Sequence, residues 1–252
     1  MKRHITTTRS WHSWVLALAL GLGLHYSARA QTVPPHLTEA ENLVVNLLLS
    51  SQTAITWPNV YGTPAAINWN GAQSTAVTEC SSFVTLLWKH TYGWTNGTFS
   101  KWTGSTSPNA AKYHNTIAQQ NGFTLVPTVG QILPGDVIAI VYYPEPQSPS
   151  GHVMTVQDLP HTNSSKPFVT GTAQWTIPVI DSSSSYHGTT DTRYSHPGGI
   201  GHGIFRLYTK PNGTVAGHNW SLLSTTLNTY YPQATSTSSG RHLVIGRLTK
   251  QP

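Results

Sequence analysis

The chain has 252 residues, with 14 Lys and Arg against 8 Asp and Glu, a formal net charge of +6 and only 9% charged residues. Four of the fourteen cations (Lys2, Arg3, Arg9 and Arg29) fall in the first thirty residues, which hold none of the eight acids, so the remainder carries only +2. That remainder has neither a basic cluster nor an acidic tail, and its charge gives no support to nucleic-acid binding. Cys80 is the single cysteine, which excludes an internal disulfide.

The first thirty residues have the three parts of an export leader: a basic start, an apolar run over residues 14–24, and Ala28-Arg29-Ala30 as an A-x-A cleavage site. The apolar run is short of the ~20 residues that span a bilayer. No cysteine near the cut offers a lipid-attachment site. The expectation is a periplasmic or secreted protein without stable membrane insertion after cleavage. Residues 31–252 then form a single domain, with enough chain to bury a core.

Along that domain, Leu37, Ala40, Leu43, Val44, Leu47 and Leu48 recur at helical spacing and predict an amphipathic helix over residues 37–49, with Thr38 and Glu41 as a capping box. Residues 58–70 are rich in Pro, Gly and Asn and read as loop. The stretch Thr78-Glu79-Cys80-Ser81-Ser82-Phe83-Val84 opens a second helix, in which Phe83, Val84, Leu86, Leu87 and Thr91 mark a buried face and Gly93 a stop. Cys80 thereby falls at the helix start, where unpaired N–H groups and the helix dipole favour a thiolate. Residues 94–109 read as loop, and residues 110–120 as a surface helix ending near Gly122.

The pattern then changes to β. Leu133-Pro134-Gly135-Asp136 is a turn delivering the β-branched and aromatic run 137–143. A Pro- and Ser-rich turn separates it from a strand over 152–157, close enough for a hairpin. Further strands are expected over 176–180, ending at Asp181, and over 203–208, 215–220 and 242–248. The polar stretch 182–203 is long for a structureless connection. Helices followed by antiparallel strands make an α+β chain.

Cysteine acyl-transfer chemistry needs a sulfur nucleophile, an imidazole that moves the proton, and a polar group that orients the imidazole. Cys80 starts a helix, His152 starts a strand, and Asp181 ends the next strand, so neighbouring antiparallel strands can bring the last two side by side. Glu79-Cys80-Ser81-Ser82-Phe83-Val84, Leu133-Pro134-Gly135-Asp136-Val137-Ile138, Gly151-His152-Val153 and Val179-Ile180-Asp181-Ser182-Ser183 resemble, in this order, the motifs of the NlpC-type cell-wall cysteine peptidases. These belong to a papain-like group that includes the CHAP amidases. The resemblance covers residues 57–183 and implies a papain-like fold, with the nucleophile's helix packed on an antiparallel sheet. It also implies hydrolysis of an amide in peptidoglycan stem peptides, with peptidoglycan or its peptide fragments as partner and no cofactor or metal. By the same resemblance Cys80, His152 and Asp181 are the catalytic residues, and Tyr61, in a Tyr-Gly segment upstream, lines the site beside the nucleophile. Ser82 stands where the family has glycine, Glu79 where it has aspartate, Met154 where it has a small residue, and Asp181 where many members have histidine.

Three other readings compete. His187, His196 and His202 with Asp181 and Asp191 suggest a metal site, but their spacing matches no metal signature, and a solvated histidine-rich loop or a lid over the cleft is the simpler reading. Within that loop Asp191 and Arg193 either pair or touch substrate. The many tryptophans suggest a glycan-binding module without catalysis: Trp57 and Trp69 flank Tyr61, whereas Trp88 reads as core. An acyl-enzyme could also pass its acyl group to an amine or alcohol, which would make the protein a transferase.

Overall fold

In a computed structural model of the chain the described residues are 32–235 and 238–249; the expected leader lies outside them. The chain divides into two units, 1–32 and 33–252, and every element belongs to the second. No helix among the described residues is long and apolar enough to cross a membrane.

Helix α1 (Pro35–Thr53) begins three residues before the expected capping box, because Pro35 at its first position has no N–H to leave unsatisfied. Thr38 is thus inside the helix rather than its cap. Leu37, Ala40, Leu43, Val44 and Leu47 form its buried stripe. The turn-rich stretch after it contains two short strands, β1 (Asn59–Tyr61) and β2 (Ala66–Asn68), which flank β3 (Thr75–Thr78) in a three-stranded sheet. β3 runs directly into α2 (Cys80–Tyr92), which buries Phe83, Val84, Leu87 and Trp88 and stops at Gly93 in the left-handed conformation. A third helix, α3 (Asn96–Thr103), occupies residues expected as loop. Its only apolar residues are Phe99 and Trp102, one turn apart, too few for a periodic signal. α4 (Ala110–Ala118) is capped by Asn109, whose Oδ1 accepts from the Lys112 N–H at 3.0 Å. It buries Tyr113, His114 and Ile117 and is not a surface helix.

The remaining strands are β4 (Phe123–Leu125), β5 (Val137–Tyr143), β6 (Gly151–Val156), β7 (His161–Asn163), β8 (Ala173–Ser183), β9 (Gly199–Thr209), β10 (Val215–Asn219), β11 (Tyr231–Pro232) and β12 (Gly240–Leu248). Their order is β11-β10-β9-β8-β6-β5-β12-β4, with β7 added beside β8 and every pairing antiparallel. The sheet curls on itself: Gln233, just past β11, bridges to Arg241 of β12, and its side-chain amide bonds both backbone groups of Leu243 at 2.8 and 2.9 Å.

This curl creates two cores. Ile138, Ile140, Met154, Val156, Ile177, Val179, Phe205 and Leu207 fill the inside of the curled sheet. Val137, Ala139, Val153, Ile180 and Val244 point the other way, into a core shared with α1, α2 and their aromatic neighbours. Residues 137–141 are buried on both faces, so this strand shows no polar alternation. The α+β class holds, and the hairpin β5–β6 forms with Val137 opposite Thr155 and Ile140 opposite His152.

Candidate functional site

Cys80 is the first residue of α2, 6% exposed, with Glu79 immediately before it in extended conformation. The Glu79 N–H donates to Ser82 Oγ at 2.9 Å, and Ser82 Oγ donates back to the Glu79 carbonyl at 3.1 Å. The serine that replaces glycine in the motif thus secures the helix start. The residue before Glu79 is clasped to the sheet: Thr78 Oγ1 lies 2.9 Å from Ser182 Oγ, which donates to the Thr78 carbonyl at 2.7 Å. Ser182 follows Asp181, so this buried clasp couples the strand that delivers Cys80 to the strand that delivers the carboxylate. Tyr61 pairs with Thr78 in the parallel β1–β3 ladder, two residues from Cys80. Burial, followed by the charges of Cys80 and Glu79, pushes the Tyr61 hydroxyl up to about 12, which leaves it protonated and able to donate.

His152 and Asp181 lie on neighbouring strands. Each shares its strand's face with residues lining the curled sheet, Met154 and Val156 in one case, Ile177 and Val179 in the other. His152 Nε2 is 2.6 Å from Asp181 Oδ2. Asp181 engages Nε2, so Nδ1 is the ring nitrogen left free, and Cys80 acts on the ring electrostatically. Burial opposes a charged His152, but the Cys80 sulfur and then Asp181 outweigh it, and the imidazole is raised to about 9. Gly151, just before it, has φ 149°, and a Cβ there would stand 1.9 Å from the Ile140 carbonyl oxygen, so the hairpin admits no side chain at that point. The structure therefore brings Cys80, His152 and Asp181 together, with Tyr61 beside the first of them.

Behind the carboxylate stands a set of side chains that spacing along the chain does not bring there. His187 Nε2 approaches the same Asp181 Oδ2 at 3.1 Å, while its Nδ1 donates to the Trp220 carbonyl at 2.8 Å. The Arg193 guanidinium lies 2.8 Å from Asp181 Oδ1 and donates to the carbonyls of Asp181 and Gly199. It also binds both oxygens of Asp191, at 2.9 and 2.8 Å. Burial pushes the Asp181 carboxyl up, but Arg193 first and then the two histidines outweigh this and hold it well below the usual carboxylate range. Most of residues 184–198 are exposed, as expected of a solvated loop, but His187, Asp191 and Arg193 are buried and plug the space behind Asp181. Asp191 and Arg193 pair, as one of the two readings had it. His196 is the exposed member and stacks on Trp57 with ring centroids 3.7 Å apart. Among the described residues no group of three His, Cys, Asp or Glu is arranged to hold a metal.

β9 makes room for the plug. Its start reads Gly199-Ile200-Gly201-His202-Gly203, with glycines every second residue on one face. A Cβ on Gly201 would lie 2.8 Å from the Arg193 side chain, and one on Gly203 would lie 2.4 Å from His187 and 2.7 Å from Asp191. That alternation was a signal in the sequence for a strand face bared to something large.

A pocket of about 280 Å³ opens beside His152, bounded by Tyr61, Tyr142, Ser183, Trp220, Tyr231 and Arg241 among others. Trp220 packs edge-on to His152 at 4.7 Å and stacks on His187 at 4.0 Å. Trp57 and Trp69 do not line this pocket. Trp69 stacks on His90, and Trp88 is core, as expected.

An α+β chain with a cysteine, a histidine and an aspartate gathered at the meeting of a helix start and a curled antiparallel sheet is thus defined. Over 158 residues, 58% of this chain and 70% of the other, it is 35% identical to the uncharacterized protein R653 of Acanthamoeba polyphaga mimivirus, and it belongs to the same family as that protein. No family model and no solved structure matches the chain.

Proposed function

We propose that the protein is an exported cysteine hydrolase that cleaves an amide bond through an acyl-enzyme, with Cys80 as nucleophile, His152 as acid and base, and Asp181 as the group that orients the imidazole. One observation carries this reading: His152 Nε2 faces Asp181 at 2.6 Å, which leaves Nδ1 free on a ring whose charge Cys80 and Asp181 both favour. In the first half-reaction the sulfur, its proton already held on His152 Nδ1, adds to the carbonyl carbon. The C–N bond then breaks as His152 returns the proton to the leaving amine. In the second, water gives a proton to His152 and attacks the thioester, releasing a carboxylic acid and restoring Cys80. The Cys80 N–H, in the first helical turn and without an intrahelical acceptor, and the protonated Tyr61 hydroxyl are the donors for the tetrahedral oxyanion.

A nucleophile at a helix start packed on an antiparallel sheet agrees with a papain-like layout. Peptidoglycan stem peptides are the substrate class implied by the resemblance of the motifs around residues 80, 136, 152 and 181. Incubation of the purified protein with purified peptidoglycan, followed by mass spectrometry of the soluble products, tests both parts. New amine and carboxylate ends are expected from the wild type, and Cys80→Ala should lower their rate by at least about 10³-fold. Undiminished release by Cys80→Ala would sink the nucleophile assignment, and no release by either protein would sink the substrate assignment.

A further inference from the structure

Four arginines lie among the described residues, and three have their side chains tied down. Arg193 is bound to Asp181 and Asp191, Arg206 donates to three backbone carbonyls and Ser165, and Arg247 pairs with Asp136. Arg241 differs. Its side chain makes no hydrogen bond and no ion pair among the described residues, yet it is half-buried in the wall of the pocket beside His152. Its guanidinium is instead held between two rings, 4.5 Å from the Tyr142 centroid and 3.4 Å from the Tyr231 centroid. Tyr142 is its direct partner across β5 and β12, and Tyr231 comes from β11 where the curled sheet closes. Stacking of this kind fixes the plane of the guanidinium and strips part of its hydration while leaving its N–H fork unused.

The rest of the wall suits an anion. No Asp or Glu lines the pocket, and Asp181 is fully buried, ion-paired with Arg193 and in contact with His187. The other polar groups around the cavity include the hydroxyls of Ser183, Ser184, Ser185 and Thr229. A half-buried, pre-oriented and unpaired fork next to the proposed reaction centre matches a planar carboxylate in two parallel hydrogen bonds. At about 280 Å³ the pocket is at the small end for ligand sites, suited to a short segment of substrate rather than a polymer strand.

We infer that Arg241 is the specificity residue of this pocket, and that the substrate carries a free carboxylate which Arg241 binds as the scissile amide reaches Cys80. The inference rests on the hydrolase reading for its role in catalysis, but carboxylate binding itself can be measured without turnover. The probes are a synthetic stem peptide with free carboxylates and the same peptide with those groups converted to carboxamides, each titrated calorimetrically into Cys80→Ala protein. The acid form is expected to bind at least about tenfold more tightly. That preference should shrink with added salt and disappear when Arg241→Gln is introduced; Arg241→Lys, which keeps the charge but not the fork, should retain only part of it. Equal affinities with Arg241 intact, no measurable binding of either peptide, or a preference that survives Arg241→Gln overturns the inference. The first comparison needs no change at Arg241, so it stands even if the variant folds poorly. Carboxylate preference without hydrolysis by the wild type leaves the site in place and removes the hydrolase reading. Hydrolysis without carboxylate preference does the opposite.

Discussion

The two sides of His152 are built differently. On one side is Cys80, placed by the backbone at a helix start, which acts on the imidazole electrostatically. On the other side Asp181 is fully buried and faces two histidines and an arginine, with a second carboxylate behind the arginine. The sulfur side is left chemically free, and the carboxylate side is cross-linked. On the proposed reading, one side orients the ring and the other supplies reactivity. Removing groups behind Asp181 should therefore cost stability and activity together, whereas removing the sulfur should cost activity with little loss of stability.

The largest structural effect is expected at Arg193. Arg193→Met would leave Asp181 and Asp191 as buried carboxylates with their main counter-charge gone, a loss of about 3–5 kcal/mol by the usual cost of breaking a buried ion pair. Urea unfolding at neutral pH measures it. A loss below about 1 kcal/mol would mean that the carboxylate side is no more cross-linked than the sulfur side. Acid sensitivity sharpens the same point. Asp181 is held below its ordinary value, so its contribution to stability is present above that ordinary value and lost as pH falls through the folded-state value. Without Arg193 the folded-state carboxyl titrates higher, and the variant should lose that contribution at a higher pH than the wild type.

Gly203→Ala is a gentler disturbance of the same side. The new methyl group would meet His187 and Asp191, neither of which can retreat: His187 is held by Trp220 above and Asp181 below, and Asp191 by Arg193. Overpacking at such a site costs about 1–3 kcal/mol. Turnover should fall as well, because His187 would be pushed against the carboxylate that orients His152. Wild-type melting together with wild-type turnover would show that the plug yields easily and takes no part in positioning the ring.

The same contrast governs what could be read from the sequence. Cys80 at a helix start and the hairpin with His152 follow from local periodicity and turn chemistry; the strand expected to end at Asp181 runs on to Ser183, so Asp181 lies inside it, and the three residues still meet. The plug is not local. That His187, Asp191 and Arg193 are buried depends on a strand face cleared by glycines and on Trp220 arriving from β10, so composition alone made the stretch look solvated. Short strands β1 and β2 were hidden for a related reason: with three residues each they show no alternation, and pairing with β3 rather than propensity forms them. α3 was hidden by its polar sequence; Thr95 caps it, and Phe99 and Trp102 hold it to the core, with Trp102 and Asn121 also bonding one another. Arg241 could not be assigned from sequence because its two tyrosines lie on β5 and β11, far apart in the sheet order and brought together only when the sheet curls.

The smallest change is the one that separates charge from orientation. Cys80→Ala should leave the fold within about 1 kcal/mol of wild type, since a buried small residue is replaced by one of similar character. It should nevertheless lower the basicity of His152. Burial opposes the imidazolium, and the charge of Cys80 is one of the contributions that raise the ring to about 9; without it only Asp181 remains to offset burial. Titration of the ring by NMR in both proteins measures the shift. The sign for stability follows. A histidine raised above its ordinary value near 6.5 contributes stability that is fully present below that value and lost as pH rises through about 9. The wild type should lose that contribution over this window, and Cys80→Ala should show a smaller change there. The wild-type rate should fall on the alkaline side of about 9 as well, because the ring then lacks the proton owed to the leaving amine. If His152 titrates at the same pH in both proteins, the carboxylate side sets its charge as well as its orientation, and the division between the two sides fails.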